Sequence, residues 1–290
     1  MAELVLHPLS RRQLEAFVSR PSHALVLLGP EGMGKTATSR WLAAQLLGLS
    51  ETALETYPYL KIVVSEDKSI SIEAIRELLQ FTKLKVTGGR PRIVIIEQAH
   101  TMTGEAQNAL LKLLEEPPAG TILILMAASI ELLLPTIRSR AQAIRLQAPA
   151  RSDLDDYFTS QGYAAPKIRQ AYFLSGGLPG LMTALLAGDD EHPLVAAIQQ
   201  ARELLQASTF ERLALVDSLA KQRPECARLL FVLQQMAHAA LEQAAGKPDN
   251  QSDRSIARWQ HVLRAAYEAE DSLLTNAQPK LLLTNLMLSL

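Results

Sequence analysis

Eight consecutive residues, Gly29-Pro30-Glu31-Gly32-Met33-Gly34-Lys35-Thr36, spell the pattern G-x-x-x-x-G-K-[ST]. Glycines at those spacings let backbone amides curl around phosphate oxygens, and a helix beginning near Lys35 turns its positive end toward them. Lys35 adds a cation near the β- and γ-phosphates, and Thr36 offers a hydroxyl to Mg²⁺. The expected ligand is ATP or ADP with Mg²⁺. A chain of this size and glycine content produces the pattern by chance about 1% of the time. Here a short apolar run precedes it and a helical run follows, which is the context the chemistry needs.

A phosphate loop works with a neighbouring strand that ends in acid. Ile93-Val94-Ile95-Ile96 followed by Glu97 supplies one. Glu97 can reach a metal through water. The next residue, where a second acid would activate the attacking water, is Gln98, and a neutral amide takes up no proton near pH 7. Loss of one general base costs on the order of 10²- to 10⁴-fold. Glu105 and His100 are the alternatives for that role, although neither lies next to the strand end in sequence.

The elements that must hold these groups can be read from periodicity. Ala24–Leu28 is a short strand, and Lys35–Leu47 a helix closed by Gly48. Tyr59–Val64 is a second strand, and Ser71 caps a helix that carries Ile72, Ile75, Leu78 and Leu79. Gly88-Gly89-Arg90-Pro91 breaks the chain before the strand Arg92–Ile96. A helix over Thr103–Glu116 ends at Pro117-Pro118. Thr121–Ala127 and Ala143–Leu146 complete a mostly parallel α/β sheet with helices on both faces. Beyond Pro149 strand-like runs vanish. Gly176–Gly180 separates two helices of a small middle unit, and Leu194–Leu290 reads as several helices with breaks at Arg223-Pro224, 246–253 and 276–279. Three domains are expected: 1–148, 149–190 and 191–290.

Composition narrows the class. The 290 residues are 48% hydrophobic and 20% charged, enough for a packed core, and the formal charge of -1 argues against a surface that binds polyanions all over. The single cysteine, Cys226, cannot form an internal disulfide or a cysteine-rich zinc site, so no zinc is expected. No apolar run approaches the roughly 20 residues that span a bilayer, and the first twenty residues lack the pattern of a signal peptide. The reading is a soluble protein of a reducing compartment with no membrane partner. Lys83, Lys85, Arg90, Arg92 and Lys112 are candidates for contact with a nucleic-acid backbone. The six histidines, His100 included, have no ligand-like grouping and read as structural or surface residues. Cys226 reads as a small buried hydrophobe, Trp41 as a packing residue, and Leu281–Leu290 as a segment to be buried.

Three longer stretches carry a family resemblance: Glu97–Met102, Ala106–Pro118 and Leu134-Pro135-Thr136-Ile137-Arg138-Ser139-Arg140. They resemble the bacterial AAA+ clamp-loader proteins of DNA polymerase III, most closely the delta-prime branch. Weaker echoes lie at Ser175–Gly180 and Leu274–Leu281. The resemblance implies an AAA+ module made of the α/β domain and a small helical lid, followed by an all-α collar. It implies a cytoplasmic pentameric ring of delta-like and gamma/tau-like subunits that places a sliding clamp on primer-template DNA. It also implies an arginine finger acting in trans. That residue is Arg140, with Arg138 as the nearby rival.

The departures from the family pattern matter as much. No cysteine quartet lies between the phosphate loop and the second strand. Ala127-Ala128 replaces the polar residue that positions water, unless Ser129 takes that place. Gly180 falls where an arginine is expected. The implied subunit binds nucleotide through Gly29–Thr36 and Glu97 but hydrolyses little. A hydrolysing gamma/tau-like motor, a stand-alone P-loop kinase and a nucleotide-free scaffold are the alternatives.

Overall fold

The computed structural model describes residues 4–65, 69–86, 89–189, 191–221, 223–245, 250–274 and 278–290. Gly88 and parts of the expected breaks at 246–253 and 276–279, residues 246–249 and 276–277, lie outside these residues; the rest of the first break, 250–253, is already helical. The chain forms two compact units, Met1–Ala150 and Arg151–Leu290.

In the first unit the elements run α1 (Pro8–Ser19), β1 (Ala24–Leu28), α2 (Lys35–Leu47), α3 (Glu51–Leu54), β2 (Leu60–Val63), α4 (Ile72–Lys83), β3 (Arg92–Ile96), α5 (Gly104–Glu115), β4 (Thr121–Ala127), α6 (Pro135–Arg138) and β5 (Gln142–Arg145). The strands form one parallel sheet in the order β2-β3-β4-β1-β5. Every residue of β1, β3 and β4 is buried. Strands covered on both faces have no solvent side, which is why these three read as unbroken apolar runs rather than alternating ones. The edge strands are different. β2 carries Lys61 and β5 exposes Gln142, Ala143 and Arg145, so charge marks both margins of the sheet.

The helices are started by the residues the sequence offers. Ser71 accepts from the Ala74 amide and Thr103 from the Ala106 amide, caps worth about 1 kcal/mol each. One face of the sheet packs on α4 and α5 through Ile75, Leu78, Ala106, Leu110 and Leu113. α1, which the periodicity does not announce, buries Leu14 and Phe17, and its Ser10 hydroxyl accepts from the Gln147 amide at 3.0 Å.

Arg92 corrects the sequence reading. It is 1% exposed, its guanidinium donates to Thr121 Oγ1 and to the Leu84 carbonyl, and it stacks over Phe81. A buried arginine of this kind cannot reach a nucleic-acid backbone. Lys83, Lys85, Arg90 and Lys112 are exposed.

The second unit is helical: α7 (Arg151–Ser160), α8 (Ala165–Ser175), α9 (Pro179–Ala187), α10 (Pro193–Gln206), α11 (Thr209–Leu219), α12 (Arg223–Ala245), α13 (Asn250–Leu274) and α14 (Pro279–Ser289). α12 packs on α8, α10 and α13. A side chain at Gly176 would bring its Cβ to 2.4 Å from Gln235 Oε1, so the left-handed glycine that ends α8 also lets it approach α12. The helices assigned to the middle domain and those assigned to the last domain therefore occur within the same unit. Cys226 is buried; in α14 Leu282, Leu283, Leu286 and Met287 are buried while Leu281 and Leu288 are exposed, so the expected burial of Leu281–Leu290 holds for only part of the segment. No helix among the described residues is long and apolar enough to cross a membrane.

Candidate nucleotide site

The loop Gly29–Gly34 leaves the end of β1 and enters α2. Its first amide donates to the Ala127 carbonyl at 3.2 Å, which ties the loop to the end of β4. A Cβ on Gly29 would stand 3.2 Å from Met33 Cγ, so any side chain there would press on the methionine across the curl. Gly32 and Gly34 have φ of +81° and +86°, the left-handed region that favours glycine. Gly34 is the N-cap of α2, and no side chain caps that helix start. A thirteen-residue helix with no side-chain cap and a left-handed entry leaves N-terminal amides that suit an anion.

Lys35 reaches back over the loop. Its Nζ donates to the Gly29 carbonyl at 2.6 Å and to the Pro30 carbonyl at 2.8 Å. Burial lowers its pKa to about 8, and the nearby Glu31 carboxylate opposes the shift. The ammonium is thus held at the loop mouth by carbonyl dipoles, in surroundings where an approaching phosphate is weakly screened. Thr36 is exposed in the first turn of α2. Glycine curl, helix terminus, ammonium and hydroxyl together fit a nucleotide phosphate chain: backbone amides of 29–36 and Lys35 to hold it, Thr36 and Glu97 to approach its Mg²⁺.

Glu97 stands at the end of β3, half-buried, with its amide donating to the Val63 carbonyl at 2.9 Å. Burial raises its pKa, and the Arg40 charge on α2 pulls it back down. Gln98 has φ of +47°, the one non-glycine residue with positive φ among those described, and its side chain is exposed. The chain then makes a short 3₁₀ turn, Ala99–Thr101, closed by the Thr101 amide and hydroxyl on the Gln98 carbonyl at 2.7 and 2.9 Å.

This turn revises the place of His100. The sequence reading gives it two places, as an alternative for the missing base and among the structural or surface histidines. In the fold, burial lowers its pKa first, then the Lys35 charge, while Glu31 raises it, so the imidazole lies within electrostatic reach of the phosphate loop. Its Nδ1 is buried without a hydrogen-bond partner. The signal was its position three residues after the strand-end acid. Ser129, the alternative to Ala127-Ala128, has its hydroxyl turned to the Glu131 carboxylate. Gly180 opens α9 in the second unit.

Arg140 follows α6. Its Nη2 lies 2.9 Å from Glu115 Oε1, and its Nη1 donates to the Thr136 carbonyl and Ser139 hydroxyl at 3.1 and 3.2 Å. The side chain remains 35% exposed. α6 is anchored from below: Ile137 is fully buried, and the side-chain oxygen of buried Gln107 accepts from the Leu134 amide at 3.0 Å. The same amide group of Gln107 donates to the Met102 carbonyl at 3.4 Å, so one residue of α5 touches both the strand-end turn and the segment that presents Arg140.

Residues 11–150, which include the loop, the strand ends and Arg140, match the family model described as DNA polymerase III, delta subunit. Over that stretch, just under half of its length, the chain is similar to subunits of the DNA polymerase III clamp loader. Similar proteins include the delta' subunit from Pseudomonas aeruginosa, 36% identical over 45% of this chain and 45% of the relative. The Escherichia coli K12 delta' subunit is 30% identical over 64% of this chain and 58% of its own. The gamma/tau subunit of Mycobacterium tuberculosis H37Rv is 35% identical over 42% of this chain and 24% of its own. The chain therefore spans about half the length of the delta' relatives it matches and a quarter of the gamma/tau one. A solved gamma subunit-related protein from Thermotoga maritima aligns over 96% of this chain and 97% of its own, with a TM-score of 0.50 and 19% identity, a likeness of fold. The AAA+ architecture, an α/β sheet followed by helices, accords with the fold described above.

Proposed function

We propose that this chain is a delta-prime-like subunit of the replicative clamp loader, one that binds ATP or ADP with Mg²⁺, hydrolyses little, and supplies Arg140 to the nucleotide of a neighbouring subunit. Its partners would be delta-like and gamma/tau-like subunits in a pentameric ring, the sliding clamp and primer-template DNA, in the bacterial cytoplasm. Residues 149–190 would serve as lid and 191–290 as collar. In this reading the loop amides of Gly29, Pro30, Glu31, Gly32, Met33 and Gly34 with Lys35 bind the phosphates, and Thr36 and Glu97 orient the metal. The chemistry a Mg²⁺ held there would supply is neutralisation of phosphate charge. A planar guanidinium suits the trans role because its forked donors match the γ-phosphoryl oxygens.

One observation carries the reading. A complete glycine cradle with a desolvated lysine stands beside strand ends that carry Gln98 and Ala127-Ala128, groups that neither take up a proton nor position water. The test is steady-state ATP turnover of the isolated chain, with equilibrium binding of a labelled nucleotide measured alongside. Binding without appreciable turnover is expected. Turnover at the rate of a working gamma/tau-type subunit would refute it.

The rival is a hydrolysing motor of the same loader, and the feature that favours it is His100. Its lowered pKa keeps the imidazole neutral near pH 7, and a neutral imidazole can take up a proton. Measurable turnover that disappears in His100→Gln would select this second reading.

A further inference from the structure

Glu115 sits where a carboxylate is locally unwelcome. It is the last residue of α5, where the unpaired carbonyls of the final turn repel negative charge, and Pro117-Pro118 prevent the helix from running on. A residue that breaks a local rule is compensated by something else, and here the compensation is Arg140. The Nη2–Oε1 separation of 2.9 Å is that of a short, charge-assisted hydrogen bond. With the Thr136 carbonyl and Ser139 hydroxyl on Nη1, three of the guanidinium's five N–H donors are engaged. Nε–H and the second Nη2–H remain for an external acceptor.

Both partners stand on anchored structure. α5 buries Leu110, Leu113 and Leu114, and α6 is fixed through Ile137 and Gln107. Both charges are nonetheless reachable from outside, at 35% and 51% side-chain exposure. An arginine on a surface turn otherwise samples many rotamers, and ordering it at the moment of use weakens whatever it binds.

We infer that Glu115 is a positioning residue for Arg140: it holds the guanidinium in one rotamer, so that a phosphoryl group held by an adjacent subunit meets a donor edge that is already formed. The inference rests on the trans role proposed for Arg140. It assigns no contact between Glu115 and nucleotide. Glu115 acts through the arginine alone.

The experiment is a double-mutant cycle in the loader reconstituted with its partner subunits, clamp and primed DNA, with assembly of each variant checked by gel filtration. ATP turnover is measured for wild type, Glu115→Gln, Arg140→Ala and the double variant. Glutamine keeps the shape and an acceptor oxygen but loses the charge. Expected for Glu115→Gln is a fall in kcat of about three- to fivefold with KM unchanged, the range a partly exposed ion pair can supply. The difference should shrink as salt rises. In the Arg140→Ala background Glu115→Gln should change nothing further.

Wild-type turnover by Glu115→Gln in a loader where Arg140→Ala is slow would overturn the inference. So would a loss that persists in the Arg140→Ala background, because Glu115 would then act independently of the arginine. Faster turnover by Glu115→Gln would also overturn it, by showing that the carboxylate restrains the arginine. Wild-type turnover by Arg140→Ala itself would strike the proposed trans role, a separate failure that the same cycle identifies.

Discussion

The loop after β1 and the ends of β3 and β4 lie at the same, C-terminal end of one parallel sheet, joined by the Gly29 amide on the Ala127 carbonyl, yet they hold very different shares of a nucleotide hydrolase. The loop has every group that grips phosphate: glycines where positive φ is needed, an uncapped helix start and a desolvated lysine. The strand ends offer one half-buried acid and then a glutamine and two alanines. Binding and turnover use separable groups, and in the reading proposed above the chain keeps the first without the second. If the chain takes part in catalysis, its charge has to act somewhere other than its own site, and Arg140 is the partly exposed cation fixed to the same core.

The largest effects should come from separating the two cations. In the reconstituted loader Arg140→Ala should lower turnover at the adjacent site by about 10³-fold or more, the scale of finger-dependent phosphoryl transfer. Nucleotide binding by this chain should be unchanged, as read by titration of a labelled nucleotide. A variant that lost both in parallel would erase the distinction between the site this chain holds and the one it serves.

A smaller effect follows from the pKa of Lys35, lowered to about 8 by burial. A bound phosphate chain favours the ammonium form and raises that pKa in the complex. Affinity is therefore fully developed below about pH 8 and declines as pH rises through it, by at most about tenfold per pH unit. Equilibrium titrations between pH 7.5 and 9.5 measure this. A flat profile would mean that the ammonium contributes nothing to the grip.

The same contrast explains what was legible in the sequence. The loop is a local object: eight consecutive residues specify its backbone and its charge, so it could be read complete. β1, β3 and β4 were legible because burial on both faces leaves an unbroken apolar signature. α1 was not, since its buried stripe is one serine, one leucine and one phenylalanine among charged residues. Arg92 misled because its side chain says charge, while its partners Leu84, Phe81 and Thr121 are assembled only by folding. The pairing of Glu115 with Arg140 is likewise a product of tertiary structure that no local pattern announces, whereas His100 has one local sign, its place three residues after Glu97, and only the fold shows its reach to Lys35.

The smallest effect concerns the backbone at the point of contrast. The loop takes its left-handed positions with glycine, whereas the strand end takes one with Gln98, at φ +47° and ψ +47°. A side chain with a Cβ in that region costs about 1–2 kcal/mol relative to the right-handed form. Its own side chain is exposed and offers nothing visible in return. What the conformation does achieve is direction: it turns the chain out of β3 into the 3₁₀ turn that brings His100 near the loop. Strain held at such a place is a mark of function rather than of packing. Gln98→Gly should relieve it and stabilise the protein by about 0.5–1 kcal/mol, less than the full strain because glycine also frees the unfolded chain. In urea the midpoint should rise with an unchanged m-value. An unchanged or lowered midpoint would mean that Gln98 carries no strain, and that the strand end differs from the loop in its side chains but not in its backbone.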